Sequence, residues 1–154
     1  MSGKILPLEE LAKIIEREKG RGIKVALANG GFDLLHIGHI RYLRESKSAA
    51  DILVVAVNSD RSLRGLKGEH RAKINEAGRA RILASLKCVD YVTIFDEPRV
   101  DRVLLTLKPD FHCKGSDYTP ETVPERDIVE SFGGKILITG GRKIKSSSDI
   151  IKDI

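Results

Sequence analysis

Short apolar runs that alternate with segments of helical periodicity narrow the fold of this chain more than any other feature. The runs are Ile23–Ala28, Ile52–Asn58, Tyr91–Phe95, Phe111–Cys113 and Lys135–Thr139. Helical patterns fall between them at Ile40–Ala50, Glu76–Leu86, Arg99–Leu107 and Pro124–Phe132. Strands that read as continuous Val/Ile/Leu runs are buried on both faces, the environment of a parallel sheet with helices on each side. Right-handed crossovers then predict an α/β fold, a Rossmann-like doubly wound parallel sheet of about five strands. Another helix precedes them. Leu8, Leu11, Ala12, Ile14 and Ile15 repeat at helical spacing, with Pro7 near the start and Gly20 beyond the end. The length suits one domain over 1–154, with an N-terminal helix at 1–21 and the α/β core at 23–154. The longest irregular stretches, Asn58–Lys73 and Lys114–Val123, follow strand C-termini and are expected on one rim, as functional or mobile loops.

A hydrophobic content of 41% and a charged content of 32% exclude wholesale disorder. No apolar run approaches a membrane span, and Met1-Ser2-Gly3-Lys4 lacks the apolar region of a signal peptide, so a cytoplasmic protein is expected. Cys88 and Cys113 then read as free thiols. The net charge of +5 is concentrated between Arg64 and Arg81, where Arg64, Lys67, Arg71, Lys73, Arg79 and Arg81 face only Glu69 and Glu76. With 5% aromatics and no tryptophan, stacking platforms for nucleic acid are scarce. Basic residues that follow a strand end suit small anionic ligands better, although a solvated basic face has the same composition.

The segment Asn29-Gly30-Gly31-Phe32-Asp33-Leu34-Leu35-His36-Ile37-Gly38-His39 lies between the first strand run and the next helical one. Strand, glycine turn and helix start are implied. His36 and His39 then share one helical face, beside unpaired backbone N–H groups and the positive end of the helix dipole. Imidazoles there can donate to phosphoryl oxygens, and Gly38 lets an anion approach the backbone. A zinc half-site would need further ligands, and no Cys or acidic partner stands at a ligand spacing nearby. A plain helix cap explains either histidine alone, but not both together with Gly30, Gly31, Asp33 and Gly38.

These residues resemble the H-x-G-H signature of the nucleotidyltransferase superfamily, in its cytidylyltransferase-like branch. A second signature follows at Lys145-Ser146-Ser147-Ser148-Asp149-Ile150-Ile151. Hydroxyls before an apolar helical start make an N-cap first and a phosphate cradle second. A P-loop is excluded, because Lys145 stands where its second glycine belongs. The segment is instead similar to the serine/threonine-rich signature near the end of cytidylyltransferase-like enzymes, where it cups the β- and γ-phosphates. The helix it would start has only about two turns before Ile154, so fraying without ligand is expected.

Lys114-Gly115-Ser116-Asp117-Tyr118 is a turn by composition, with a lysine able to meet a phosphate. Followed by Pro120-Glu121, it resembles the bacterial enzymes that adenylylate D-glycero-β-D-manno-heptose 1-phosphate. Asn58-Ser59-Asp60, Leu66-Lys67-Gly68 and Val89-Asp90-Tyr91-Val92 match that group too, and the likeness runs from about Asn29 to Ile154. Many of those relatives carry a fused sugar kinase; a single-activity enzyme without it is expected here. Ala28 and Gly31 depart from the usual threonine and larger residue. Asn75 is shifted and Ala77 replaces the usual glutamate, while Arg71 and Arg79 remain.

The resemblance implies transfer of AMP from ATP to a sugar 1-phosphate with release of pyrophosphate. His36 and His39 would stabilise the transition state, with Arg79 and Lys114 adding charge. Asn29, Gly30, Gly31, Phe32, Asp33, Gly38, Asn58, Ser146, Ser147 and Ser148 would bind nucleotide and phosphates. Asp60, Lys67, Arg71, Asp117 and Tyr118 would meet the acceptor. Asp33 is open between orienting a catalytic group, helping to hold magnesium and capping the turn. Mg2+ is expected on the phosphates and not in a protein cage. A homodimer acting on small molecules, without nucleic acid or membrane, completes the expectation. Glycerol-3-phosphate cytidylyltransferase, a flavin-type adenylyltransferase and a non-catalytic binding module are the alternatives.

Overall fold

The computed structural model describes residues 2–141. One five-stranded sheet organises them, in the order β3-β2-β1-β4-β5, with every pairing parallel. The strands are β1 (Val25–Gly30), β2 (Ile52–Asn58), β3 (Tyr91–Phe95), β4 (Phe111–Lys114) and β5 (Lys135–Ile138). The helices are α1 (Leu8–Gly20), α2 (Ile37–Ser48), α3 (Asp60–Lys67), α4 (Glu76–Ala84), α5 (Asp101–Leu107) and α6 (Arg126–Ser131). This is the doubly wound arrangement that the apolar runs predict.

Two apolar layers explain why the strand runs are continuous. Val25, Leu27, Val54 and Ala56 pack with α1 and α5 on one face. Ala26, Ala28, Leu53, Val55 and Val57 pack with α2 and α4 on the other. Side chains alternate along a strand, so both parities must be apolar when both faces are covered. No helix among the described residues is long and apolar enough to cross a membrane.

The boundaries differ where capping overrides composition. β1 starts at Val25 and not at Ile23, because the Ile23 amide donates to Glu18 O at the end of α1. It runs on to Gly30, through residues read as a turn. Gly20 lies inside α1, and the chain reverses at Gly22, whose φ is +85°. The stretch Asn58–Lys73 is not an irregular loop. Ser59 caps α3 by accepting from Ser62 N at 3.1 Å, and Gly68 ends it at φ +111°. α3 is short and polar, so no apolar stripe announces it.

Parallel order reverses direction between β1 and β4, since β1 leads away to β2 and β3 while β4 leads to β5. Strand C-termini flank a crevice at such a switch point. Asn29–His39, Asn58–Lys67 and Lys114–Glu125 all meet there.

Candidate active site

β1 delivers the chain to a turn whose geometry depends on small residues. A Cβ on Gly31 would lie 2.7 Å from Leu63 Cδ1, so α3 packs directly over that backbone. A Cβ on Gly38 would lie 2.8 Å from His36 Cε1, in the space the His36 ring uses to fold back over the first turn of α2.

His36 is the N-cap of α2. Its Nδ1 accepts from Gly38 N at 3.0 Å, and His39 Nδ1 accepts from His36 N at 3.2 Å. The two rings stack with centroids 3.9 Å apart, and Phe32 closes edge-on against His39 at 5.3 Å. Each Nδ1 must therefore carry a lone pair, which leaves both protons on Nε2. Burial pushes the His39 pKa down to about 4 from 6.5, with the neighbouring His36 adding to the shift. Burial lowers His36 as well. Near neutral pH the pair is two uncharged donors at a helix N-terminus, an anion-binding arrangement.

The cleft beside them has a volume of about 770 Å³. Asn29, Gly30, Gly31, His36, Gly38 and His39 line its β1 wall, with Asn58 and Lys67 on one flank and Lys114, Asp117 and Tyr118 on the other. Asn29 Oδ1 is buried and has no hydrogen-bond partner among the described residues, a free acceptor at the cleft wall. The Lys114 ammonium sits 4.7 Å from the Tyr118 ring centroid and 3.5 Å from Glu125 Oε1.

Other expected residues are placed elsewhere. Arg79 is fully buried and does not offer its charge to the cleft. Its Nε donates to Ile74 O at 2.8 Å, one Nη to Gly31 O at 2.8 Å and Asn58 O at 2.7 Å, and the other Nη to Asp60 Oδ1 at 2.7 Å. It fastens the β1 turn, the end of β2 and the start of α3 together. Asp60 is consequently its ion-pair partner and not an acceptor ligand. Arg71 is exposed and lies away from the cleft lining. Phe32 is buried beneath the histidines and does not line the cleft.

Asp33 ties the β1 turn to the segment that leads into α4. Its Oδ1 accepts from Ile74 N at 3.1 Å. Burial opposes its ionisation, but hydrogen bonds from the Ile74, Lys73 and Ala72 backbone and the Arg79 charge outweigh that and hold the carboxyl below its ordinary value. Asn75, the shifted residue, caps α4 by accepting from Gly78 N at 2.8 Å. Ser146, Ser147 and Ser148 lie outside the described residues.

Sequence reasoning missed Tyr42, Thr139 and Glu125. Tyr42 lines the cleft one turn after His39 and donates to Cys113 O at 2.6 Å; the spacing His36, His39, Tyr42 was its signal. Thr139 Oγ1 bonds Ser46 Oγ at 2.8 Å, and Gly140 N donates to Glu45 Oε2 at 2.6 Å. These contacts hold the chain leaving β5 against α2, on the histidine side of the cleft. Nothing local marked Glu125, whose place depends on β4 beside it.

A family model described as cytidylyltransferase-like matches residues 27–152. The bifunctional protein HldE of Geobacter metallireducens is 52% identical over 98% of this chain and 31% of that protein. HldE of Geotalea uraniireducens is 48% identical with the same coverage. The chain thus spans 31% of the length of these curated relatives. The crystal structure of a lipopolysaccharide core biosynthesis protein from Thermoplasma volcanium aligns with a TM-score of 0.63 and 31% identity, over 76% of this chain and 94% of that one. A pantoate-beta-alanine ligase from Francisella tularensis shares the fold with a TM-score of 0.63 at 18% identity, over 96% of this chain and 75% of that one.

Proposed function

The chain belongs to the cytidylyltransferase-like family, and from that premise we propose that it transfers AMP from ATP to a sugar 1-phosphate, D-glycero-β-D-manno-heptose 1-phosphate, and releases pyrophosphate. The observation that carries this reading is the pair of Nε2–H donors at the start of α2, facing a cleft that also holds Lys114. The sugar phosphate is already ionised at neutral pH, so its oxygen attacks the α-phosphorus without a catalytic base. The work left to the protein is alignment and stabilisation of the charge that builds on the α-phosphate and the departing pyrophosphate.

In this reading His36 and His39 donate to the triphosphate, where preorganised neutral donors need no rearrangement as charge develops. Lys114 supplies the cation nearest the α-phosphate. Lys67 meets the acceptor from the α3 side, with Asn58, Asp117 and Tyr118 as further acceptor and nucleotide contacts. Ser146, Ser147 and Ser148 receive the β- and γ-phosphates; the exit of the chain at Gly140, beside α2, supports this. Magnesium would be carried on the phosphates themselves and would need few protein ligands. When bound, that ion supplies neutralisation of the phosphate oxygens. The same reading makes the protein a cytoplasmic homodimer acting on small molecules alone.

Heptose specificity rests on the Lys114–Tyr118 segment and on the HldE relatives. Pyrophosphate release measured over a matrix of ATP and CTP against heptose 1-phosphate, glycerol 3-phosphate and flavin mononucleotide tests it. ATP with heptose 1-phosphate is expected to turn over fastest. Turnover with CTP and glycerol phosphate alone would overturn the acceptor and base while sparing nucleotidyl transfer. Absence of turnover with every pair would overturn both.

A further inference from the structure

β4 places two residues of opposite character on either side of Cys113. His112 is fully buried under the sheet's end, and Lys114 reaches the cleft. Both converge on one oxygen of Glu125. His112 Nε2 lies 2.9 Å from Glu125 Oε1, and Lys114 Nζ lies 3.5 Å from the same atom. Glu125 is itself fixed from several directions. Its carbonyl accepts from Val129 N at the start of α6, and the Arg99 guanidinium donates to the carbonyl of the preceding Pro124 at 3.1 Å. Only 7% of the Glu125 side chain and 12% of the Lys114 side chain are exposed, so this ion pair is formed at the cleft wall, largely out of water.

We propose that His112 and Glu125 are positioning residues for the transfer reaction: a buried imidazole orients a carboxylate, which holds the Lys114 ammonium where the α-phosphate arrives. The proposal rests on the assignment of Lys114 as a phosphate ligand.

Three physical arguments carry it. A lysine has a long flexible stem, and its ammonium stays at one point only when something anchors it. The sole ion-pair partner found for Lys114 among the described residues is Glu125. A carboxylate this buried must in turn be satisfied, and His112 supplies the second donor. Burial holds His112 in its neutral form, which places the proton on Nε2 toward Glu125 and leaves Nδ1 bare. His112 Nδ1 has no hydrogen-bond partner among the described residues. An imidazole that leaves one nitrogen unsatisfied is a poor choice for packing alone, and its retained contact is the one with Glu125. Burial opposes ionisation of Glu125, and the His112 hydrogen bond with the Lys114 charge outweighs it, so the anchor stays anionic. Tyr118 covers the ammonium from the other side.

A double-mutant cycle with kinetics and melting on the purified chain tests this. Lys114→Met and Glu125→Gln are each expected to lower kcat roughly tenfold to a hundredfold, the scale of one charge-assisted contact in a desolvated site. KM for ATP and for heptose 1-phosphate should move by less than about threefold, since the interaction is made in the transition state. The double variant should be no slower than Lys114→Met alone, because Glu125 acts through Lys114. His112→Leu should lose activity and His112→Gln, which keeps a donor, should recover most of it. A Glu125→Gln effect that persists in the Lys114→Met background would overturn the proposal and make Glu125 a substrate ligand. Variants of His112 and Glu125 that lower only the melting temperature would overturn it too. A silent Lys114→Met would instead remove Lys114 from the site, and this proposal with it. Should the wild-type chain turn over no substrate pair, nitrogen NMR of His112 still reads the relay. A hydrogen-bonded Nε2–H that shifts in both Glu125→Gln and Lys114→Met is expected, and a His112 signal indifferent to both overturns it.

Discussion

The turn after β1 and the segment from α3 into α4 both carry residues expected to meet phosphate, yet the fold uses them in opposite ways. In the turn, His36 and His39 reach the cleft as their spacing implies. In the segment, Arg79, a cation expected to add charge on the phosphates, is turned inward and its guanidinium is spent on Ile74, Gly31, Asn58 and Asp60. The lesson is about what fixes a side chain. The histidines are oriented by the first two turns of their own helix, through caps that only local residues supply. A helical arginine faces in or out according to partners that are distant in sequence, and here three backbone carbonyls and a carboxylate outcompete solvent.

The largest expected effect lies on the inward side. Arg79→Met should cost about 3 kcal/mol, because it strands the partly buried Asp60 carboxylate and three carbonyls. In a chain of this size that is a melting temperature lower by about 10 °C. A loss of activity without any fall in melting temperature would mean that Arg79 meets substrate after all.

His39→Ala is the counterpart on the outward side. Its turnover should fall at least about a hundredfold while the circular dichroism spectrum and melting curve stay near those of the parent. Near-normal turnover would remove the histidine pair from the chemistry. Lys67→Ala sharpens the contrast within the basic segment itself. Lys67 is exposed at the cleft, so KM for the sugar phosphate should rise about tenfold with stability unchanged. An unchanged KM, or a fall in stability, would make Lys67 part of the scaffold.

A further effect is a pH dependence. The folded state holds His39 near 4, and the unfolded chain returns it to 6.5. Between those values the unfolded chain binds the extra proton, so stability is fully present above 6.5 and declines as pH falls toward 4. Lowered His36 and His112 act in the same direction. Asp33, held below 3.8, adds stability that is lost only at still lower pH. Melting temperatures from pH 7 to pH 4.5 should therefore fall less steeply in His39→Ala than in the parent. Equal slopes would show that the His39 ring is not held neutral.

Legibility in the sequence follows the same division. The sheet was readable because β1 and β2 must be apolar on both faces, and β2 and β3 begin and end where their runs do. α3 was not, since its stability comes from the Ser59 cap and from packing of Leu63 over Gly31. Of the site, Asn29, Gly30, Gly31, His36, Gly38, His39 and Lys114–Tyr118 line the cleft, whereas Phe32 and Asp33 of the same turn do not. Glu125 was invisible because its role depends on a neighbour thirteen residues back on another element, His112.

The central claim is that two neutral imidazoles donate from Nε2 to the phosphates of a nucleotide. Proton–nitrogen correlation spectra of histidine-labelled protein, recorded with and without a non-hydrolysable ATP analogue, test it directly. The chain has four histidines, and His70, exposed and away from the cleft lining, serves as the internal reference. Expected are Nε2–H tautomers for His36 and His39 whose signals move on nucleotide addition while His70 stays still. Nδ1–H tautomers for the pair, or signals that ignore the nucleotide, would contradict it.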